Sequence, residues 1–197
     1  MLAGWTSLTG SSEGSHLLWT DLINRWSEPH RRYHGLAHLV AVLSLVDGPT
    51  SSDAVRLAAW YHDAVYDPTR FDNEECSAEL AAATLPTVGV DRATVAEVSR
   101  LVLVTRTHQY DAADTDAALL CDADLSILAG PASAYVGYAN AIRAEYAHVP
   151  DPEFRAGRTK VLTELLGRKR LFGTAAFAAL ESAARDNMQA ELALLRS

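Results

Sequence analysis

The sequence has no apolar run that approaches the roughly 20 residues a membrane-spanning helix needs. Its first segment, MLAGWTSLTGSSEG, lacks the basic start and long apolar stretch of a secretory signal. The two cysteines, Cys76 and Cys121, are too few for a disulfide framework and show no zinc-finger spacing. We therefore expect a cytoplasmic protein without a membrane partner.

The chain also lacks an excess of basic residues. Its 17 Lys and Arg residues stand against 25 Asp and Glu residues, which gives a net charge of -8 and a pI near 5.3. Because phosphate contacts require a basic surface, nucleic acid is not an expected partner. Two basic clusters, Arg31-Arg32 and Arg168-Lys169-Arg170, suit either a solvated helix end or a small anionic ligand.

Apolar residues make up 49% of the 197 residues, and the mean hydropathy is -0.02, which suits one domain with a substantial core. Long segments repeat apolar residues every third or fourth position, and this spacing predicts helices. Asp91 could cap one helix, and Ser51, Ser52 or Asp53 could cap another. Breaks are predicted at Gly48-Pro49, Asp67-Pro68, Pro86 to Gly89, Gly130-Pro131 and Pro150 to Pro152. We expect a single all-α domain over residues 1–197 with roughly eight helices, in which the part that carries the candidate metal site spans about 30–130 and the helices of 131–197 pack on it.

Four of the seven histidines lie in apolar, helix-compatible segments: His34, His38, His62 and His108. His34 and His38 are one helical turn apart, so they should share a face if their segment is helical. The other three are expected to be structural or exposed: His16, His30 and His148.

Carboxylates accompany these histidines in apolar surroundings. In LAAWYHDAVYDP, the pair His62-Asp63 ends an apolar helix, where a carboxylate is costly unless it is paired or bound to a metal. A salt bridge from Asp63 to Arg56 or Arg70 would be the purely structural explanation.

In ALLCDADLSILAG, at least one of Asp122 and Asp124 should point inward, although Asp122 could instead cap a helix. Mixed His and Asp ligands suit a divalent transition metal (Mn, Fe, Co, Ni or Zn, with Mg as a further candidate) better than calcium. An open coordination position would let such an ion lower the pKa of bound water and make a nucleophile at neutral pH.

The ordered set His…His-Asp…Asp resembles the HD-domain superfamily of metal-dependent phosphohydrolases. Within that superfamily the chain closely resembles a group of small bacterial HD proteins of largely unassigned substrate, through YHGLAHL, WYHDAVYDP with DNEECSAEL, TRTH and CDADLSILAG. The segment EYAHVPDPEFRAGRTKVLTELLGRKRLF extends the resemblance over nearly the whole chain. The resemblance implies an HD-type helical bundle and a metal-dependent phosphoric ester hydrolase.

The resemblance also implies roles for single residues. The metal ligands would be His38, His62, Asp63 and Asp124, with Asp122 as the fallback for Asp124. The distant cyclic-nucleotide phosphodiesterases carry Tyr-His-Asn-x-x-His, whose first His acts on the phosphate and leaving group and whose second binds metal. Here Gly35 replaces the Asn.

By the same resemblance the catalytic residues would be His34, Asp63 and His108. His34 would protonate the leaving oxygen or contact phosphate, and His108 would contact phosphate or a second metal. The deoxynucleoside monophosphatase branch has a Glu where this chain has Tyr66, so its general-base chemistry is in doubt here. Three carboxylates remain as substitutes: Asp67, Glu74 and Glu75.

The resemblance to the HD-domain superfamily leaves three candidate functions. The first is hydrolysis of a small phosphoester, with a nucleotide as the leading candidate substrate. The second is a di-iron HD oxygenase, which would need additional ligands, and the third is a non-catalytic nucleotide-binding protein. As for partners, a second copy of the chain in a homodimer is a candidate alongside the small phosphorylated substrate. Four residues are guesses at phosphate contacts: Arg143, Tyr146, Arg158 and Lys160.

Overall fold

The computed structural model describes residues 1–48 and 51–196 as helices joined by short turns. The α-helices are α1 Leu2–Thr9, α2 Glu13–Trp26, α3 Leu36–Val46, α4 Asp53–Tyr61, α5 Asn73–Thr84, α6 Arg92–Thr105, α7 Thr115–Leu125, α8 Ala132–Glu145, α9 Asp151–Leu166 and α10 Glu181–Arg196. Short 3-10 turns lie at Leu85–Val88, Ser126–Ala129 and Ala178–Leu180. The described ranges contain no strand, so the predicted all-α single domain is confirmed, with ten α-helices where we expected about eight. Pro49, half of the predicted Gly48-Pro49 break, lies outside those ranges.

Polar side chains begin several helices where the sequence predicts them. Ser52 caps α4, since its hydroxyl accepts the backbone N–H of Val55, and neither Ser51 nor Asp53 is the cap. Asp91 caps α6 by accepting the N–H groups of Ala93 and Thr94. These caps satisfy donors that have no partner within the helix.

Helix α4 lies at the centre of the domain. It packs against α3, α5, α6 and α7, and almost all of its residues are buried. Near its end, the carbonyl of Trp60 accepts the indole N–H of Trp26 at 2.9 Å, and the ring edge of Trp5 packs on Trp60. This packing holds the end of α4, and therefore His62, in the interior.

The last helix, α10, packs on the domain through one apolar face. The apolar stripe of α10 buries Ala184, Met188 and Leu192, and the helix packs against α9 and the Ser126–Ala129 turn. Glu191, within that stripe, accepts two hydrogen bonds from Arg158 at 2.8 and 3.0 Å. Arg158 is therefore buried in an ion pair, and the guess that it contacts phosphate is wrong.

In the described ranges no single helix is long and apolar enough to span a membrane. The stretches Thr115–Ala129 and Ala132–Glu145 pass that test only as a pair, across a bend of 105°. Each stretch also contributes buried side chains to the core, among them Leu120 and Tyr135.

Two glycines provide a test of this packing. Gly157 lies exposed within α9 with open space around it, so Gly157→Ala should stabilise the protein by about 0.5–1 kcal/mol through helix propensity. A Cβ at Gly173 would lie 2.5 Å from the Tyr110 hydroxyl and 3.1 Å from the Ala118 Cβ, so Gly173→Ala should cost about 1–3 kcal/mol. Urea unfolding of both variants measures this, and equal midpoints would contradict the described packing.

Candidate metal centre

Three helices bring two imidazoles and a carboxylate together. His38 lies in the first turns of α3, His62 directly follows α4, and Asp124 lies near the end of α7. The Nε2 atom of His38 is 3.0 Å from Nε2 of His62 and 3.0 Å from Oδ1 of Asp124. The ligand atoms of all three residues lie within 4.8 Å of one another, an arrangement that could hold a metal ion.

The hydrogen bonds around these atoms fit a cation. His62 Nδ1 donates to the carbonyl of Ala59 at 3.0 Å, so in the neutral ring Nε2 presents its lone pair to the group. His38 can supply only one hydrogen to two acceptors, Nε2 of His62 and Oδ1 of Asp124. The three facing atoms, Nε2 of His38, Nε2 of His62 and Oδ1 of Asp124, therefore have more lone pairs than hydrogens to share between them. A metal ion bound between them would accept all three lone pairs.

The two aspartates of α7 have different surroundings. Asp122 is fully buried and accepts three hydrogen bonds, from the N–H of Gly173 and from the N–H and hydroxyl of Thr174, at 2.7–2.8 Å. It thereby fixes the loop that precedes α10, and it is not a helix N-cap, since Asp114 caps α7. Asp124 is the aspartate that lies in the histidine group.

Two further predicted residues lie beside this group. His108 Nε2 is 2.8 Å from Oδ2 of Asp124, so the two carboxylate oxygens of Asp124 face different histidines. His108 has a φ of 50°, a left-handed conformation that costs energy for a non-glycine residue. Oδ2 of Asp63 lies 3.4 Å from Nε2 of His62 and 3.9 Å from Nε2 of His38.

Asp63 forms no salt bridge with Arg56 or Arg70, the two arginines that the sequence offers as its partners. Arg56 pairs with Asp53, and Arg70 pairs with Asp72, so neither arginine neutralises Asp63. The Asp63 carboxylate therefore points toward two imidazoles.

His34 lies in the turn before α3, so the expectation that it shares a helical face with His38 is wrong. The two rings nevertheless lie 5.8 Å apart between centroids. His34 Nδ1 donates to Oε2 of Glu145 at 2.7 Å, which leaves its Nε2 free for other partners. The two histidines therefore differ in their partners: His38 lies against His62 and Asp124 in the candidate metal centre, and His34 contacts a separate carboxylate, Glu145.

Glu145, at the end of α8, organises the His34 turn. Its Oε1 accepts the backbone N–H groups of Arg32, Tyr33 and His34 at 2.7–2.9 Å, and its Oε2 also accepts the hydroxyl of Tyr66 at 2.9 Å. The side chain is buried. Tyr66 thus donates a hydrogen bond to Glu145 and stacks on His34.

Arg31 ties the same turn to the end of α4. Its buried guanidinium donates to the carbonyls of His34, Asp63 and Ala64, at 2.7–3.2 Å. Arg31 is therefore committed to the fold and does not bind an anionic ligand, whereas Arg32 is exposed.

Burial and hydrogen bonding shift the pKa values of three of these side chains: His38, Asp124 and His34. Burial lowers the pKa of His38, which favours the neutral ring that a metal requires. Burial alone would raise the pKa of Asp124, but hydrogen bonds from His108 and His38 hold it well below its usual range. For His34, burial opposes protonation, but the hydrogen bond to Glu145 raises the pKa overall.

The three candidate bases are distinguished by their contacts. Asp67 accepts hydrogen bonds from Thr69 in a turn, and Glu75 pairs with Arg106. Glu74 is half-buried, and burial followed by the negative charge of Asp63 raises its pKa. Glu74 is therefore the one whose surroundings include the candidate centre.

No known family model, curated protein or solved structure matches this chain. Two residues of the site, Glu145 and Arg31, were not among the predicted site residues. Glu145 lies 111 residues from His34, and no local pattern marks a partner at that separation.

The contrast between the two aspartates gives a direct test. Asp124→Asn should lower metal affinity by about 100-fold or more, because it removes an anionic ligand. Asp122→Asn should keep metal affinity and lose about 1–3 kcal/mol of stability, because its amide nitrogen cannot accept the Thr174 hydrogen bonds. Elemental analysis and urea unfolding of both variants check this; loss of metal from Asp122→Asn alone would reverse the assignment.

The Glu145 contacts predict a dependence of stability on pH. Burial alone would raise the pKa of Glu145, but hydrogen bonds from His34 and from backbone N–H groups lower it from 4.5 to about 2. This carboxylate therefore stabilises the fold fully above its ordinary pKa, and the contribution is lost as the pH falls toward 2.

Glu145→Gln should reduce the free energy of unfolding at neutral pH by about 2 kcal/mol. The difference from the unmodified protein should narrow as the pH falls below 4.5. Glu79→Gln, at an exposed position on α5, is the matched control and should show no such trend. A difference in the free energy of unfolding between Glu145→Gln and the unmodified protein that stays constant with pH would contradict the stabilising role of the Glu145 carboxylate.

Proposed function

We propose that this chain is a metal-dependent phosphohydrolase of the HD type that acts on a small phosphate ester, with a nucleotide as the leading candidate. One observation carries the proposal: metal-ligand atoms from three helices converge beside a histidine, His34, that has its own buried carboxylate partner. The ordered motif resemblance of the sequence supports the same activity.

The ligands of the centre would be His38, His62 and Asp124, with Asp63 as the fourth. A divalent transition metal held there would supply a water of lowered pKa as the nucleophile and polarise the phosphoryl oxygen. His108 orients the Asp124 carboxylate through Oδ2, and Ala59 orients His62 through Nδ1. Such partners set ligand direction and basicity.

His34 would serve as the general acid. Its Nδ1 hydrogen is held by Glu145, so protonation places the second hydrogen on Nε2, and the raised pKa favours that form. In the hydrolysis the water oxygen bonds to phosphorus, the ester P–O bond breaks, and the leaving oxygen takes the His34 proton. The proton released by the attacking water restores His34, and Glu74 is the nearby carboxylate suited to pass it on.

The oxygenase alternative has less support. A di-iron site needs a second cluster of ligands, and the described residues contain one group of three or more ligand atoms within 4.8 Å. His108, which would be needed for a second ion, lies outside that group and meets it only through Oδ2 of Asp124. The donor set therefore favours hydrolysis.

The division between the two histidines is testable by substitution. The metal-loaded protein should release phosphate from a panel of nucleotides and other phosphoesters. His38→Ala should lose metal and activity together, whereas His34→Ala should keep its metal and lose kcat by about 100-fold or more, as expected for removal of a general acid. His16→Ala, on the surface of α2, is the matched control and should leave both unchanged.

Metal content by elemental analysis and phosphate release by a colorimetric assay give the two readouts. No phosphate release with any of the candidate metals, together with full metal affinity in His38→Ala, would overturn the proposal. Loss of metal from His34→Ala but not from His38→Ala would reverse the roles of the two residues.

A further inference from the structure

A cavity of about 680 Å³ opens beside the candidate metal centre. His34, His108 and Asp124 are among its lining residues, and Arg106 and Arg168 are the arginines of its wall. A cavity of this size holds a small organic molecule, and its chemistry indicates which kind. The inference drawn from it rests on the proposed phosphohydrolase function.

Arg168 is the wall arginine with an uncompensated charge. It is half-buried, and its guanidinium donates to the carbonyls of Thr107 and His108 at 2.6 and 3.1 Å. No carboxylate lies within ion-pair distance of it in the described part of the chain, whereas Arg106 pairs with Glu75. Two neutral carbonyls fix its orientation without neutralising it, so it retains charge and donors for an anion.

The rest of the wall combines apolar and aromatic side chains with three polar residues: Thr107, Gln109 and Glu164. Tyr33 and Tyr138 meet edge to face at 4.7 Å between centroids, and Leu125, Ile127 and Leu165 line the same cavity. Tyr138 is held from behind by Arg158, whose guanidinium lies over its ring and donates to its hydroxyl. These rigid rings suit a flat apolar or aromatic group better than a sugar or a chain of charged phosphates.

We propose that this cavity binds phosphate monoesters whose organic part is an aromatic ring system, nucleoside monophosphates included, and that Arg168 contacts the phosphate oxygens. A single uncompensated guanidinium suits one phosphate group. A triphosphate would bring charge that the described wall residues do not neutralise, and a glycerol ester would leave the aromatic wall without a partner.

The first test compares substrates that share the phosphate and differ in the rest. With the metal-loaded protein, naphthyl phosphate and adenosine monophosphate should exceed glycerol phosphate and adenosine triphosphate in kcat/KM by about tenfold or more. Equal or better turnover of glycerol phosphate or of the triphosphate would overturn the proposed substrate class.

The second test addresses Arg168 itself. Arg168→Ala should raise KM for adenosine monophosphate by about tenfold or more and change kcat by less than about threefold, because a charged hydrogen bond to substrate is lost. Lys169→Ala removes the same charge from the neighbouring exposed residue, which does not line the cavity, and should change neither constant. A fall in kcat with KM unchanged would show that Arg168 only positions the loop of His108, and would overturn its assignment as a phosphate contact.

A binding measurement separates failure of this inference from failure of the proposed function. Calorimetry should show that adenosine monophosphate binds the metal-loaded unmodified protein about tenfold more tightly than it binds Arg168→Ala, whether or not phosphate is released. Absence of turnover with this difference in affinity would reject the hydrolase and retain the ligand class. Turnover with equal affinity in both proteins would retain the hydrolase and reject the role of Arg168.

Discussion

The candidate metal centre depends on the cost of placing a carboxylate among imidazoles at the edge of an apolar core, where the Asp124 side chain is only 15% exposed. Asp124 has His38 on one oxygen and His108 on the other, and the ring of Trp26 packs against His62. In such surroundings each polar group must find a partner or a bound ion, since an unpaired charge is far more costly than a paired one. Where α3, α4 and α7 meet, the packing of the helices therefore places His38, His62 and Asp124 at the distances that their polar atoms need for mutual contact or for a bound ion.

A buried carboxylate, Glu145, extends this organisation to the turn that carries His34. It joins the end of α8 to the turn before α3, and Arg31 joins that turn to the end of α4. Both contacts hold backbone atoms as well as side chains, so the position of His34 is fixed relative to His62 and Asp63. A histidine fixed in this way suits proton transfer, because little reorganisation is needed when the substrate binds.

The sequence was sufficient to predict the helical class, the Asp91 cap and, through the ordered motifs, the meeting of His38, His62 and Asp124. These features depend on periodicity, local capping chemistry and ordered motifs. The contacts of Glu145 to His34, and of Arg168 to the carbonyls of residues 107 and 108, were not predicted because they join distant parts of the chain. Arg168 itself belongs to a basic cluster that the sequence offers as a candidate for a small anionic ligand. The helical placement of His34 was wrong because α3 begins only at Leu36.

The central claim is that His38, His62 and Asp124 bind one metal ion directly. An X-ray absorption spectrum of the metal-loaded protein, recorded at the edge of the metal found by elemental analysis, tests this claim without relying on activity. The account predicts scattering from two imidazole rings together with oxygen ligands, and loss of one ring contribution in His62→Ala. A first shell of oxygen atoms alone, or a spectrum unchanged by His62→Ala, would contradict it.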